Sequence, residues 1–210
     1  MKQLLSGLVA VVVLAGNSTV HAASSVDLTV KGLITPAACT PALSGGGVVD
    51  YGKISVQDLN PSGYTWLPEA RLQLTVVCDA QTLMAINSTD NRAGTSWGTL
   101  YGLGLASTGT RIGGYDLLTQ NGTGDGVAGL MIETNTNDIG NGWMDAEGMG
   151  WQPNWMRTLN GGSSNNPFPL ALKTLQTDVV VRPLIVDKNT LPLAEEIEMD
   201  GSASLTVVYL

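Results

Sequence analysis

Imidazole and thiol chemistry in this chain is confined to three residues, His21, Cys39 and Cys78. His21 sits in the sequence Val20-His21-Ala22, with Val at position −3 and Ala at −1 of a small-residue cleavage site. Ahead of it run a basic start at Lys2 and an apolar stretch from Leu4 to Ala15, broken by Ser6 and Gly7. This is the pattern of a secretory signal peptide over residues 1–22, and the apolar run is shorter than the ~20 residues a membrane-spanning helix needs. Cleavage would remove His21 and Lys2 but no acid, leaving residues 23–210 as one domain and moving the formal charge from −8 to −9. A chain without histidine has no Ser-His-Asp triad, no Cys-His pair and no His-ligated zinc. In an oxidising compartment, two cysteines make one intramolecular disulfide, Cys39–Cys78, which uses both thiols.

Carboxylates remain. Glu195, Glu196, Glu198 and Asp200 alternate with Ile197 and Met199; on a strand this spacing makes a solvated face rather than an acid/base pair aimed across a cleft. The segments Asn121-Gly122-Thr123-Gly124-Asp125-Gly126 and Asn135-Thr136-Asn137-Asp138-Ile139-Gly140 place oxygens at alternating positions, as calcium loops do. Their twelfth positions, however, are Ile132 and Ala146, with Glu133 and Glu147 one residue late, so turns are the expectation. No catalytic residue, cofactor or metal is expected, and the chain reads as a non-enzyme.

The elements that must carry these residues are strands. Charged residues make up only 13 % of the chain, Gly occupies 26 positions and Phe one, a composition poor in helix-surface residues. With 43 % apolar residues and a mean hydropathy of +0.14, the chain can bury a core. The acidic balance argues against nucleic acid and anionic lipid as partners, and no membrane span is expected in the mature chain. Period-two alternation predicts strands over residues 26–34, 48–54, 71–78, 82–87, 100–105, 115–118, 127–133, 168–175, 178–187 and 203–210. Pro183 predicts an edge position or a bulge. Residues 94–166 read as elaborated loops: 17 of the 26 glycines fall in residues 94–162, with Trp97, Trp143, Trp151 and Trp155. Trp143, Trp151 and Trp155 are candidate surface contacts for a host glycan or surface receptor; the competing reading has them pinning loops onto the sheets. Short strands with Gly/Asn turns predict an all-β, immunoglobulin-like antiparallel sandwich.

Three segments carry a resemblance to a known family: Val30-Lys31-Gly32-Leu33-Ile34 followed by Cys39, Leu72-Gln73-Leu74-Thr75-Val76-Val77-Cys78, and a C-terminal strand with Tyr209 as its penultimate residue. In this order they resemble the pilin-like subunits of the bacterial chaperone-usher pathway, and more closely an uncharacterised group of fimbrial-like secreted proteins. The resemblance covers about 50 residues, and the Gly- and Trp-rich middle lies outside it. It implies a sandwich lacking its last strand, with a hydrophobic groove beside the C-terminal strand. Ala203, Leu205, Val207 and Tyr209 would line that groove, and the Leu210 carboxylate would be gripped by a periplasmic fimbrial chaperone. Implied partners are that chaperone, an usher and other pilus subunits, in a chain that passes through the periplasm to a fimbrium or the cell surface. Only Ala23-Ser24-Ser25 precede residue 26, which favours a terminal or tip position if 26–34 is the first strand; alternatively Val26, Leu28 and Val30 are the residues donated to a neighbour. The glycine many family members carry fourteen residues from the end is replaced by Ile197. A free-standing secreted or periplasmic immunoglobulin-like binding module fits the same composition.

Overall fold

The computed structural model describes residues 28–31, 38–137 and 142–210. The expected signal peptide and most of the expected first strand, 26–34, lie outside the described residues. The chain divides into two units, Met1–Thr35 and Pro36–Leu210. In the first, residues 28–31 form no ladder, and Leu28 and Val30 are exposed.

The second unit is an all-β antiparallel sandwich with, among the described residues, no α-helix and only short 3-10 turns. Its strands are β1 (Cys39–Leu43), β2 (Thr65–Trp66), β3 (Ala70–Asp90), β4 (Tyr101–Gly102), β5 (Gly113–Gly124), β6 (Val127–Ala128), β7 (Met131–Asn135), β8 (Met144–Asp145), β9 (Trp155–Leu159), β10 (Ala171–Ile185) and β11 (Ala203–Tyr209). The expected strands 71–78 and 82–87 are one strand, β3. Its first half pairs with β10 and β1, and its second half with β9 and β11. Between Thr82 and Val77 four residues of β3 oppose a single residue of β10; Thr82 and Leu83 then pair with β10 again before the strand enters the other sheet at Met84. Leu74, Val76 and Cys78 before the bulge and Met84, Ile86 and Ser88 after it are all buried, so the inward parity survives the corner.

The expected strands 168–175 and 178–187 also merge, into β10, where Thr177 is buried and donates to the Gln120 carbonyl at 2.8 Å. Pro183 lies inside this central strand rather than at an edge. Its carbonyl accepts from Leu67 N at 2.9 Å, and its ring nitrogen points to the same side, at the gap where pairing passes from β3 to β2 and no donor is required. The expected strand 48–54 does not form. Gly52, at φ +59°, interrupts the extended run, and the segment takes no sheet partner. The expected loops of 94–166 contain β4 to β9. Asp125 and Gly126, at φ 49° and 82°, make the two-residue turn of the β5–β6 hairpin, with both residues in the left-handed conformation that an Asp-Gly pair favours.

Two cross-links fix the sandwich. Cys39 and Cys78 are bonded, with Cα atoms 4.0 Å apart. They face each other as a non-hydrogen-bonded pair, because the adjacent pair carries the bond from Asp79 N to Ala38 O at 3.0 Å. Deeper in the sandwich, Arg157 of β9 donates through Nε and Nη2 to Glu133 Oε2 of β7 at 2.8 and 2.6 Å, and through Nη1 to Thr119 Oγ1 of β5 at 2.9 Å. Arg157 Nη2 also donates to Met149 O at 2.8 Å, and the guanidinium carbon lies 5.5 Å from the Trp151 ring centre. Both charged side chains are almost wholly buried. Burial pushes the Glu133 carboxyl up and the Arg157 guanidinium down, each opposed by the attraction of the other. The network ties both sheets together and satisfies a cation that burial alone would make very costly.

Replacing both Cys39 and Cys78 with Ser is expected to lower the unfolding free energy by roughly 4 kcal/mol, the chain-entropy value for a loop of this length, as measured by urea denaturation. A second expectation concerns alkali. Tyr101 and Tyr115 stack 5.1 Å apart, and burial raises both phenols above their ordinary value of 10.0. Above pH ~10 the unfolded chain loses phenolic protons that the folded chain retains, so stability falls with pH by up to about 1.4 kcal/mol per unit for each phenol. Tyr115→Phe should make this alkaline slope shallower while leaving the slope near neutrality unchanged.

Candidate functional site

β11 is the residue-by-residue centre of the site. It pairs with the second half of β3 from Ala203↔Asp90 to Tyr209↔Met84, without a bulge. Just beyond its ends, Asn91 N donates to Ser202 O at 3.0 Å and Leu210 N donates to Leu83 O at 3.0 Å. Main-chain groups of an antiparallel strand alternate direction at each residue. Ser204, Thr206 and Val208 therefore turn theirs towards β3, while Ala203, Leu205, Val207 and Tyr209 turn their N–H and C=O groups to the opposite side. No strand among the described residues pairs on that side. The same odd-numbered residues face the interior: Ala203, Leu205 and Val207 are partly buried and pack on the core.

Beside this edge lies a cavity of about 1150 Å³, larger than the range of about 300–1,000 Å³ usual for small-molecule sites. Ala203 and Leu205 of β11, Leu43 of β1, Tyr115 and Leu117 of β5, and Val179 and Val181 of β10 form its walls. Val207 and Tyr209, grouped with Ala203 and Leu205 on sequence grounds, do not line it. Tyr209 is 52 % exposed and does something else. Because Cys39 belongs to a non-hydrogen-bonded pair, its N–H points away from β3, and it donates to the Tyr209 hydroxyl at 2.9 Å. The penultimate residue thereby joins the edge strands of the two sheets, β1 and β11. Leu210 is half-exposed.

Other sequence candidates fall elsewhere. Residues 195–200 form no strand, although Glu195, Glu196 and Glu198 are exposed and Ile197 and Met199 turn onto the core. The Ser107 hydroxyl donates to Glu195, Lys53 pairs with Glu196 at 2.9 Å, and Arg92 pairs with Asp200. Among the described residues no three His, Cys, Asp or Glu side chains converge as metal ligands, and no helix is long and apolar enough to cross a membrane. Trp151 is not a surface contact. It is buried, with its Nε1 donating to Trp155 O at 2.8 Å; Trp143 and Trp155 are partly buried. The cavity walls contributed by β5 and β10 were missed as site residues, although the alternation of Val179, Val181 and Ile185 signals one continuous inward face.

Fold and edge together define a disulfide-stapled antiparallel β-sandwich whose C-terminal strand, paired with β3 on one side, has no strand partner on the other among the described residues and borders a cavity of mixed apolar and charged lining. The family model described as Protein of unknown function (DUF1120) matches residues 28–98, a stretch that holds both cysteines, β1 and all of β3. The uncharacterized protein YhcF of Escherichia coli (strain K12) is 31 % identical, over 90 % of this chain and 92 % of its own. Protein GltF of the same organism is 27 % identical over 88 % of each chain. The chain belongs to the family of YhcF.

Tyr209→Phe removes the acceptor for Cys39 N and should lower stability by about 1 kcal/mol, read as a shifted urea midpoint with an unchanged m-value.

Proposed function

We propose that this protein is a fimbrial or fimbrial-like structural subunit, exported to the periplasm and completed there by a β-strand from another polypeptide. The observation that carries the reading is the coincidence at β11: the residues whose side chains face the interior also present main-chain donors and acceptors that, among the described residues, no strand pairs, beside an open cavity with apolar walls from β1, β5, β10 and β11 and charged residues among its lining. A strand added there would gain ladder hydrogen bonds from Ala203, Leu205, Val207 and Tyr209, and would place alternate side chains against Leu117, Val179 and Val181. Left unfilled, such an edge is an aggregation template. A periplasmic chaperone would fill it first, with Leu210 as its handle, and an usher and other pilus subunits would follow in a fimbrium at the cell surface. The exposed, alternating Leu28 and Val30 have the spacing of a donated strand. The work is assembly, without catalysis.

A specific observation supports a second reading, a free-standing exported binding module: Leu191, Leu193, Ile197 and Met199 of the chain's own loop also line the cavity and partly fill the role of the missing strand. Expression in a periplasm with and without a fimbrial chaperone separates the two. For the subunit, the chain should be recovered as a stable complex with the chaperone and be lost to aggregation or proteolysis without it, and Leu205→Asp should abolish the complex. Equal accumulation of a monomer that resists unfolding without any chaperone overturns the subunit reading and favours the module.

A further inference from the structure

A second hollow lies on the surface, built from residues that neither the disulfide nor the groove uses. Tyr64, ahead of β2, and Trp97, between β3 and β4, set their rings 6.4 Å apart and tilted by 48°. With Thr110, Arg111, Val186, Asp187 and Thr190 they line a space of about 380 Å³. Trp97 is 38 % exposed and Tyr64 56 %, so two large aromatic side chains are partly open to water around one concavity.

The polar groups here are of both signs. The Arg111 guanidinium carbon lies 5.7 Å from the Trp97 ring centre, and among the described residues no carboxylate pairs with it. Asp187 accepts from Asn189 N through Oδ1 at 2.8 Å, which occupies one of its two carboxylate oxygens.

We propose that this hollow binds one neutral hexose-type sugar residue, free or at the end of a glycan. A pyranose ring has an apolar C–H face, which suits the tilted aromatic pair. Its hydroxyls each donate and accept, which suits a donor, Arg111, and an acceptor, Asp187, that line the same hollow. A simple anion would meet the Asp187 carboxylate and a simple cation the Arg111 guanidinium, so the mixed pair selects for hydroxyls over net charge. The volume is at the small end of ligand pockets and fits one ring better than a chain. The inference is independent of strand addition at β11.

The test uses the chain as recovered from the periplasm, in two arms. Methyl hexosides are titrated while the Trp97 indole N–H signal is followed by NMR, and the same preparation is applied to an array of immobilised neutral and acidic oligosaccharides. Saturable binding of a neutral hexose that moves the Trp97 signal supports the proposal with free sugar as ligand; neutral-array binding alone supports it with a glycan terminus. Trp97→Ala and Arg111→Ala should each weaken binding at least tenfold, while Trp66→Ala, exposed but outside the hollow, should leave it unchanged. Arg111 is exposed, so its substitution reads out binding even where Trp97→Ala disturbs the loop. No saturable binding in either arm, binding confined to acidic sugars, or binding that survives Arg111→Ala undiminished overturns the proposal.

Discussion

The sandwich depends on one strand that belongs to both of its sheets. β3 passes a four-residue bulge near the end of the first sheet and enters the second at Met84 without losing its inward parity, so the two inner faces are set by a single run of side chains from Leu74 to Ser88. A slip of one residue in either half would turn that face outwards. The disulfide sits at this corner, on Cys78, and holds β1 in register there. Every strand that builds the cavity is positioned relative to this corner, either by pairing with β3 or by pairing with β10, which itself lies along β3.

The buried Arg157–Glu133 pair does complementary work away from the groove. It lies on β9 and β7, on the edge of β3 opposite β11, and reaches β5 through Thr119. On that side the sheets are joined by charge-assisted hydrogen bonds; on the β11 side the cavity separates them, and Tyr209 spans to Cys39 at its end. The asymmetry explains how one flank of the molecule can be open while the core remains packed.

Much of this is legible in the residues. The alternation of Leu72, Leu74, Val76 and Cys78 marks the central strand, the even cysteine count marks the cross-link, and Ala203 to Tyr209 marks the last strand. What escapes is whatever depends on distant partners. Asp79, Ala80 and Gln81 read as a break between two strands because a bulge is polar and exposed just as a turn is. Pro183 reads as an edge residue because nothing local shows that its neighbour across the ladder ends at Ala70. Residues 48–54 have a strand's pattern and no strand to pair with. Trp151 looks available for a ligand until Arg157, six residues on, is seen to bury a charge beside its ring. The groove is half-legible for the same reason: its β11 wall is contiguous in sequence, whereas Leu117 and Val179 are brought to it by topology.

The bond between Cys39 and Tyr209 joins residues separated by 170 positions, and β11 is also the last strand of the chain. The edges of the two sheets are thus joined at this flank by a contact between the first and the last of the described strands. Contacts of such sequence separation form slowly, because loop-closure entropy is lost before the contact is made. This flank is therefore expected to close late in folding, after the β7–β9 ladder, whose partners lie far closer in sequence.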